Sequence, residues 1–478
     1  MKVNFDDFSV GDLISFKKKF SLRDFSHFSV ISGDQNPLHH DKSYAQSSGH
    51  GENIVPLHLI IAPISRVAGM NFPGVPSLYL GHSVRAVRQL RYGEVVNYSA
   101  KINALNASKR IIDMRVMGFC GLDVIFDAKV QVQALHGEWI QEPDIEISPS
   151  SRRKRVLITG ASGEIARSLA DIFSKNDWQL MLQSRGFIKK TAYFAQNKDL
   201  SRVEFVEADL QDQKNLEQIN KRIAGHNDIH AIIHVASPPV NAHVNDLIDV
   251  NYSALKSLAE TALPQMLANQ EGLVMSIGSS AALTHQHGFD AYAAAKSMAA
   301  SYLARLDKKY SAYGVKGRVL APTFVSTEYS KQLRGEQSSL MPYEVAEQAF
   351  KIVQGVDSFM TVQQVGYDRS GNYGFHIDKL DENKSIDTFA DKIEQFELNE
   401  SNLSDTIVSV LKRIFPDCSV SQITNGGLDS TPGWDSLAQI RVVLEVEKIT
   451  GVTFSTQEFE TLTTFAGLLN SCKDKLRK

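Results

Sequence analysis

The chain has 478 residues, 43% of them hydrophobic, and a formal net charge of −3 at pH 7. That length suggests about three domains and that apolar content supports packed cores, while near-neutrality without a concentrated basic face gives no ground for a nucleic-acid partner. Three widely separated cysteines, Cys120, Cys418 and Cys472, exclude a disulfide framework and a zinc site and point to a reducing compartment.

The N-terminus, MKVNFDDFSVGDLISF, is acidic and lacks the long apolar core of a signal peptide. The longest apolar runs, such as Ile60–Ile64, are too short to span a bilayer. The expectation is a soluble, cytoplasmic protein with no membrane partner. Within residues 1–140, Phe25–Ile31 and Tyr44–Ser47 suggest helix, and Pro56–Ala68 suggests a buried helix. Strand-like runs follow at Val95–Asn103, Arg110–Phe119 and Val124–Leu135. Gln141–Lys154 (QEPDIEISPSSRRK) has no sustained apolar period and reads as a linker. Residues 154–375 alternate strand and helix: Arg155–Thr159, Glu164–Lys175, Gln179–Gln183, Ala231–Val235 and Leu273–Ile277. That alternation predicts a parallel sheet covered by helices. Ser370–Gln395 reads as part linker, part helix. Residues 400–478 read as a small helical bundle, with helices at Ser404–Ile414, Ser436–Thr450, Phe459–Leu462 and Phe465–Lys473.

Three motifs carry chemistry. The first is SGDQNPLHHD, Ser32 to Asp41. Gly33 and Pro37 shape a fixed loop that brings Asp34 near His39. A carboxylate and an imidazole so placed can take and give a proton on two sides of a bound water. Water addition to an enoyl thioester, or its reversal, needs such a pair and a donor for the enolate-like oxygen. The segment resembles the hallmark of the MaoC-like (R)-specific enoyl thioester hydratases through Ser32, Gly33, Asp34, Asn36, Pro37, Leu38, His39 and Asp41. The resemblance covers about residues 5–137 and includes Tyr44-Ala45 and Arg91-Tyr92-Gly93-Glu94. It implies a hot-dog fold, a long central helix wrapped by a curved antiparallel sheet, in a homo-oligomer. It departs where the family has His-Gly at the start of that helix: this chain has Pro56-Leu57.

The second motif is Thr159-Gly160-Ala161-Ser162-Gly163, after the apolar strand Val156–Ile158 and before a helix. That is the setting of a phosphate-cradling loop. Tyr292 and Lys296 lie i, i+4 on a predicted helix and share a face. An adjacent ammonium favours the phenolate and makes the tyrosine a usable acid. Ser279 follows the strand Leu273–Ile277 and can hold a carbonyl under reduction. Together these residues resemble the short-chain dehydrogenases/reductases, with similarity to ketoacyl reductases. The resemblance implies Tyr292 as proton donor, Ser279 as carbonyl-orienting group, Lys296 on the nicotinamide ribose and Asn251 on a relay water. It further implies cofactor contacts from Gly160, Ser162, Gly163, Ile165, Asp209 and Thr327 in a Rossmann-type, doubly wound parallel sheet. Glu164 and Ala166 replace the second and third fingerprint glycines, and His234-Val235-Ala236-Ser237 replaces Asn-Asn-Ala-Gly. Strand two ends in Gln183-Ser184-Arg185 without an acidic residue. A hydroxyl and a guanidinium suit a 2′-phosphate, which favours NADPH.

The third motif is Gly433-Trp434-Asp435-Ser436-Leu437, opening a predicted helix. It resembles the acyl/peptidyl carrier domains, which implies a 4′-phosphopantetheine arm on Ser436, attached by a phosphopantetheinyl transferase. The combined expectation is a three-part, multidomain α/β and α+β enzyme: dehydratase or hydratase at 1–140, ketoreductase at 154–375, carrier at 400–478. A 3-ketoacyl thioester would be reduced and its 3-hydroxyacyl product dehydrated, in fatty-acid or polyketide-like biosynthesis. Loading and elongation would fall to an external ketosynthase and acyltransferase. The direction of the water step stays open, as does delivery by the in-chain carrier, a separate carrier or CoA. A different reading keeps the first domain as a dimerisation and acyl-binding module beside an active reductase. No metal site is expected.

Overall fold

The computed structural model describes residues 5–136, 153–186, 200–280, 289–327 and 339–355 with isolated flanking positions, strands at 362–367 and 373–376, and, farther on, 403–415, 418–427, 430–431 and 462–476 with single positions between. The chain divides into two units, Met1–Leu380 and Asp381–Lys478.

The first unit begins with strand β1 (Leu13–Lys19), helices α1 (Leu22–Ser32), α2 (Lys42–Ser47), α3 (Leu57–Ile61) and α4 (Pro63–Arg66), then strands β2 (Ser77–Ala86), β3 (Val95–Asn106), β4 (Ile111–Cys120) and β5 (Asp123–Ala134). The strands form an antiparallel sheet in the order β1-β3-β4-β5-β2. Val96, Tyr98, Ala100 and Ile102 alternate along β3 and are buried in one apolar cluster with Ile60, Ile64 and Val67 of the helical segment. The Tyr98 hydroxyl donates to the Ile60 carbonyl at 2.6 Å and pins helix to sheet.

The continuous helix expected over Pro56–Ala68 is interrupted. It breaks at Ala62, where Pro63 brings a ring and no amide proton, and its continuation ends in a π-helical turn, Val67–Asn71.

From residue 155 the chain alternates: β6 (Arg155–Thr159), α5 (Glu164–Lys175), β7 (Gln179–Ser184), β8 (Val203–Glu207), α6 (Gln213–Gly225), β9 (Ile229–His234), α7 (Val244–Ile248), a π-helical turn Asp249–Ala254, α8 (Leu255–Asn269), β10 (Gly272–Ile277), α9 (Asp290–Tyr310), β11 (Val315–Pro322), α10 (Pro342–Gln354), β12 (Val362–Tyr367) and β13 (Tyr373–His376). The sheet order is β13-β12-β11-β10-β9-β6-β7-β8, parallel except for β13. Helices bury both faces: Leu258, Ala262 and Leu303 belong to one cluster, Leu169, Phe173 and Ala349 to the other. The order reverses between β6 and β9, which opens a crevice at the carboxyl ends of those strands. Four residues of the stretch expected as linker and helix, Tyr373–His376, instead form an edge strand on β12.

These two sheets meet within the first unit. Met117, Phe119 and Val124, on the face of the first sheet away from α3, share an apolar cluster with Leu263, Met266 and Tyr313. The Ser99 hydroxyl donates to the Ala268 carbonyl at 2.6 Å, and Arg115 donates to the Ala312 carbonyl at 2.6 Å. Gln270 ends α8 in the left-handed conformation, φ 49. Its amide donates to the carbonyls of Ser99 and Arg115 at 3.1 and 3.2 Å.

In the second unit, α11 (Leu403–Ile414), α12 (Val420–Thr424) and α13 (Phe465–Leu476) enclose a core that includes Leu403, Ile407, Leu411, Ile423, Leu468 and Cys472. Val442 and Val446, helical and spaced i, i+4, are buried in it. The rest of the helix expected at 436–450, Ser436 included, and residues 459–461 lie outside the described residues, and Leu462, expected to end a helix, is not helical.

Candidate active sites

The first site grows from the end of α1. Gly33 closes that helix at φ 75, a left-handed cap that favours glycine, with its amide on the Ser29 carbonyl. The Asn36 side chain accepts from the Leu38 amide, and Pro37 opens a short 3₁₀ turn. Asp41 caps α2 by accepting from the amides of Ser43 and Tyr44. Most of the ten-residue motif therefore shapes backbone. Asp34 and His39 are the two side chains that converge: Oδ2 of Asp34 and Nε2 of His39 are 3.7 Å apart.

His39 is buried, and its Nδ1 lies 2.8 Å from the Ile54 carbonyl. A carbonyl can only accept, so Nδ1 carries a proton and Nε2 is the nitrogen turned to Asp34. The 3.7 Å separation is too long for a hydrogen bond, and a water placed beside the pair is within reach of both atoms. The neighbouring His40 stacks its ring on Phe25 instead. Leu57, half-buried, opens α3 behind Pro56, which supplies no side-chain cap.

The second site is a cleft of about 540 Å³ at the crevice between β6 and β9. Gly160 leaves β6 at φ 65, and a Cβ there would stand 2.8 Å from the Ala236 backbone. Only glycine permits that approach of the β6 and β9 loops. Gln183 fixes the loop from beneath: its carbonyl accepts from the Gly160 amide at 3.0 Å, and its amide donates to the Ala208 carbonyl at 2.7 Å. Sequence reasoning did not single out this brace. Ser162, Gly163 and Ile165 line the cleft, as do Arg185, Asp209 and Thr327. Arg185 is exposed at the end of β7. The Thr327 hydroxyl is turned into its own loop, 3.2 Å from the Ser330 hydroxyl.

Ser279, Tyr292 and Lys296 line the same cleft. The Lys296 ammonium is buried, lies 5.7 Å from the Tyr292 ring centroid and donates to the Ile277 carbonyl at 2.8 Å. Burial lowers its pKa to about 8. Asn251 sits behind the wall, in the π-helical turn: its amide donates to the Leu247 carbonyl at 2.9 Å, and its Oδ1 is buried without a protein partner. His234 is wholly buried. Burial, then the charge of Lys296, lowers its pKa to about 3, so the ring is neutral. It bridges the Thr159 hydroxyl at 3.0 Å and the Val250 carbonyl at 2.9 Å, which ties the glycine loop to the turn that bears Asn251.

No helix among the described residues is long and apolar enough to cross a membrane. No group of three or more potential metal ligands occurs among them.

A glycine loop on a parallel sheet, with a serine, a tyrosine and a lysine in one cleft, defines an oxidoreductase domain. Residues 154–338 match the family described as short chain dehydrogenase. The human 17-beta-hydroxysteroid dehydrogenase type 3 is 26% identical to this chain over 188 residues, 37% of this chain and 61% of that protein. The very-long-chain 3-oxoacyl-CoA reductase-B of Danio rerio is 20% identical over 207 residues, 40% of this chain and 66% of that protein. The (R)-specific enoyl-CoA hydratase of Aeromonas caviae is 30% identical over 102 residues, 21% of this chain and 76% of that protein. Through its N-terminal part the chain belongs to the family of (R)-specific enoyl-CoA hydratases, and it joins that part to a short-chain dehydrogenase domain.

Proposed function

We propose that the chain is a bifunctional acyl-thioester enzyme, reducing a 3-ketoacyl thioester with NADPH and interconverting the 3-hydroxyacyl and 2-enoyl thioesters. The observation that carries the reading is the coexistence of two differently equipped sites: a tyrosine–lysine–serine cleft, and an Asp34–His39 pair whose carboxylate and imidazole converge to 3.7 Å. The names of the hydratase and oxoacyl reductase relatives fit the two halves of that chemistry.

The cleft fits NADPH. Gly160 and Gly163 carry no side chain that would keep a pyrophosphate from the start of α5, and Ser184 and Arg185 stand at the end of β7 for a 2′-phosphate. When bound, the cofactor supplies the hydride. The protein's part is the proton: Tyr292 donates it to the ketone oxygen, and Lys296, charged below about pH 8, favours the phenolate left behind. The Ser279 hydroxyl holds the oxygen in place. At the other site, Nε2 of His39 accepts from the bridging water. The hydroxyl adds at C3 and the water's proton, relayed by the pair, reaches C2. Dehydration is the same path reversed.

We read the first domain as a hot-dog fold, on the antiparallel sheet packed over α3 and α4. Residues 400–478 are read as a carrier whose Ser436 receives the 4′-phosphopantetheine arm. Intact-protein mass spectrometry tests the scheme. After a phosphopantetheinyl transferase, an acetoacetyl donor and NADPH, the mass should rise by the arm, then the acyl group, then two hydrogens, and then fall by one water. No arm on Ser436 refutes the carrier, and turnover of CoA thioesters without it assigns delivery to CoA.

A second reading rests on Leu57, whose side chain stands at the N-terminus of α3. On that reading the first domain binds acyl chains without converting them. Enoyl hydration by the wild type that disappears in Asp34→Asn excludes it.

A further inference from the structure

We infer that Tyr92 is a substrate-binding residue of the first site, donating a hydrogen bond from its phenol to the oxygen that enters or leaves at C3 of the acyl thioester. The inference rests on the proposed hydratase chemistry.

Position comes first. Residues 90–92 run beside the segment that holds the imidazole: the Val55 amide donates to the Leu90 carbonyl at 2.8 Å, and Ile54 pairs with Arg91 across an antiparallel bridge. The Ile54 carbonyl is the group that orients His39. Tyr92 therefore follows directly on the contact that anchors one half of the catalytic pair. Its ring packs on the apolar cluster of the first domain.

The hydroxyl is the anomaly. It is buried and has no protein partner. Such a group is desolvated without compensation, and a phenylalanine would fill the same space without that penalty. Burial, and then the charges of Asp34 and Asp24, raise its pKa, so it stays protonated and keeps a proton to donate at neutral pH. The nearby carboxylates already have partners. Asp24 accepts from the Ser21 amide and hydroxyl and meets Lys18, while Oδ1 of Asp34 accepts from the Asn36 amide and Oδ2 faces His39. A partner that arrives with the substrate accounts for the open donor.

The chemistry favours the C3 oxygen. Asp34 and His39 handle the water that becomes the 3-hydroxyl, and Tyr92 senses the charge of Asp34. As the C–O bond forms or breaks, that oxygen carries partial negative charge, and a neutral fixed donor lowers the barrier. A catalyst cannot alter the equilibrium, so hydration and dehydration gain equally.

The test compares the full-length wild type, Tyr92→Phe and Asp34→Asn for hydration of crotonyl-CoA, dehydration of (R)-3-hydroxybutyryl-CoA, ketone reduction and thermal stability. Tyr92→Phe should lower kcat/KM in both directions by the same factor, about tenfold to a hundredfold, mostly through kcat. KM should change less, reduction should be untouched and Tm should be equal or higher. If the wild type is active, Asp34→Asn inactive and Tyr92→Phe unimpaired, the inference fails alone. Loss of hydration in Tyr92→Phe together with a lowered Tm assigns the residue a structural role and overturns it. A wild type without hydration overturns the hydratase reading and the inference with it.

Discussion

The two sites on this chain are built on opposite plans. In the reductase cleft the charged group is buried, held by a backbone carbonyl and set beside the tyrosine it serves. In the first site Asp34 keeps about a third of its side chain in solvent and stands off from His39 by 3.7 Å. Hydride chemistry profits from a dry site where one proton is delivered by a fixed phenol. Water chemistry needs its acid and base within reach of a reactant that comes from solvent, and Asp34 remains partly exposed to it. Burial that would be a defect in one site is thus a requirement in the other.

That contrast can be broken by selective substitution. The largest expected effect is on Tyr292→Phe, which should slow ketone reduction by about 10²–10⁴ while leaving enoyl hydration intact, as NADPH-oxidation and enoyl-absorbance assays on one preparation would show. Asp34→Asn should give the mirror image, with hydration down about 10²-fold or more and reduction unchanged. Parallel loss of both activities in either variant would mean that the sites are not independent. Arg185→Ala should raise KM for NADPH roughly tenfold to a hundredfold and leave NADH little affected, because only the 2′-phosphate loses a charged partner. Equal effects on both cofactors would remove Arg185 from the phosphate site.

The smallest effect is on pH dependence. Lys296 has a folded pKa of about 8 against an ordinary 10.5. Its positive form therefore declines above about pH 8, and kcat/KM for NADPH should decline with it while hydration shows no such limb. For stability the sign is reversed. Below pH 8 the lysine is charged in both states and folding bears the desolvation. Between about 8 and 10.5 the folded form releases its proton first, so this group's contribution to stability rises with pH. Lys296→Met should flatten that slope in thermal melts.

What was legible in the sequence was local. Asp34 and His39 are five residues apart, and Tyr292 and Lys296 one helical turn, so loop and helix geometry alone bring each pair together. The β6–α5–β7 unit could be read from its apolar runs and glycines. What escaped depends on contacts made across the chain. The Ile54 carbonyl, the Gln183 brace and the Tyr92 phenol matter because of what faces them. Strands β1 and β2 were missed because their partners lie more than forty residues away, as Leu13 pairs with Lys101 and Ser77 with Ala134. The Pro63 break was visible as a residue but outweighed by the apolar run around it. Val116-Met117-Gly118-Phe119 is apolar without alternation because the strand is covered on both faces, Val116 in one core and Met117 and Phe119 in the other.

The junction between the sheets carries a consequence for how such a protein can change. In the sequence, residues 141–154 read as a linker at which one domain could be exchanged for another. Yet Phe119 is buried with Met266 in one core, and the Gln270 amide reaches across to the Ser99 and Arg115 carbonyls. A foreign reductase spliced in at that linker would face bare apolar strands on its neighbour and forfeit the Gln270 bonds across the junction. Substitutions on β4 and at the end of α8 must therefore be inherited together. For recombination, whether natural or at the bench, the unit of exchange is the joined pair rather than either half.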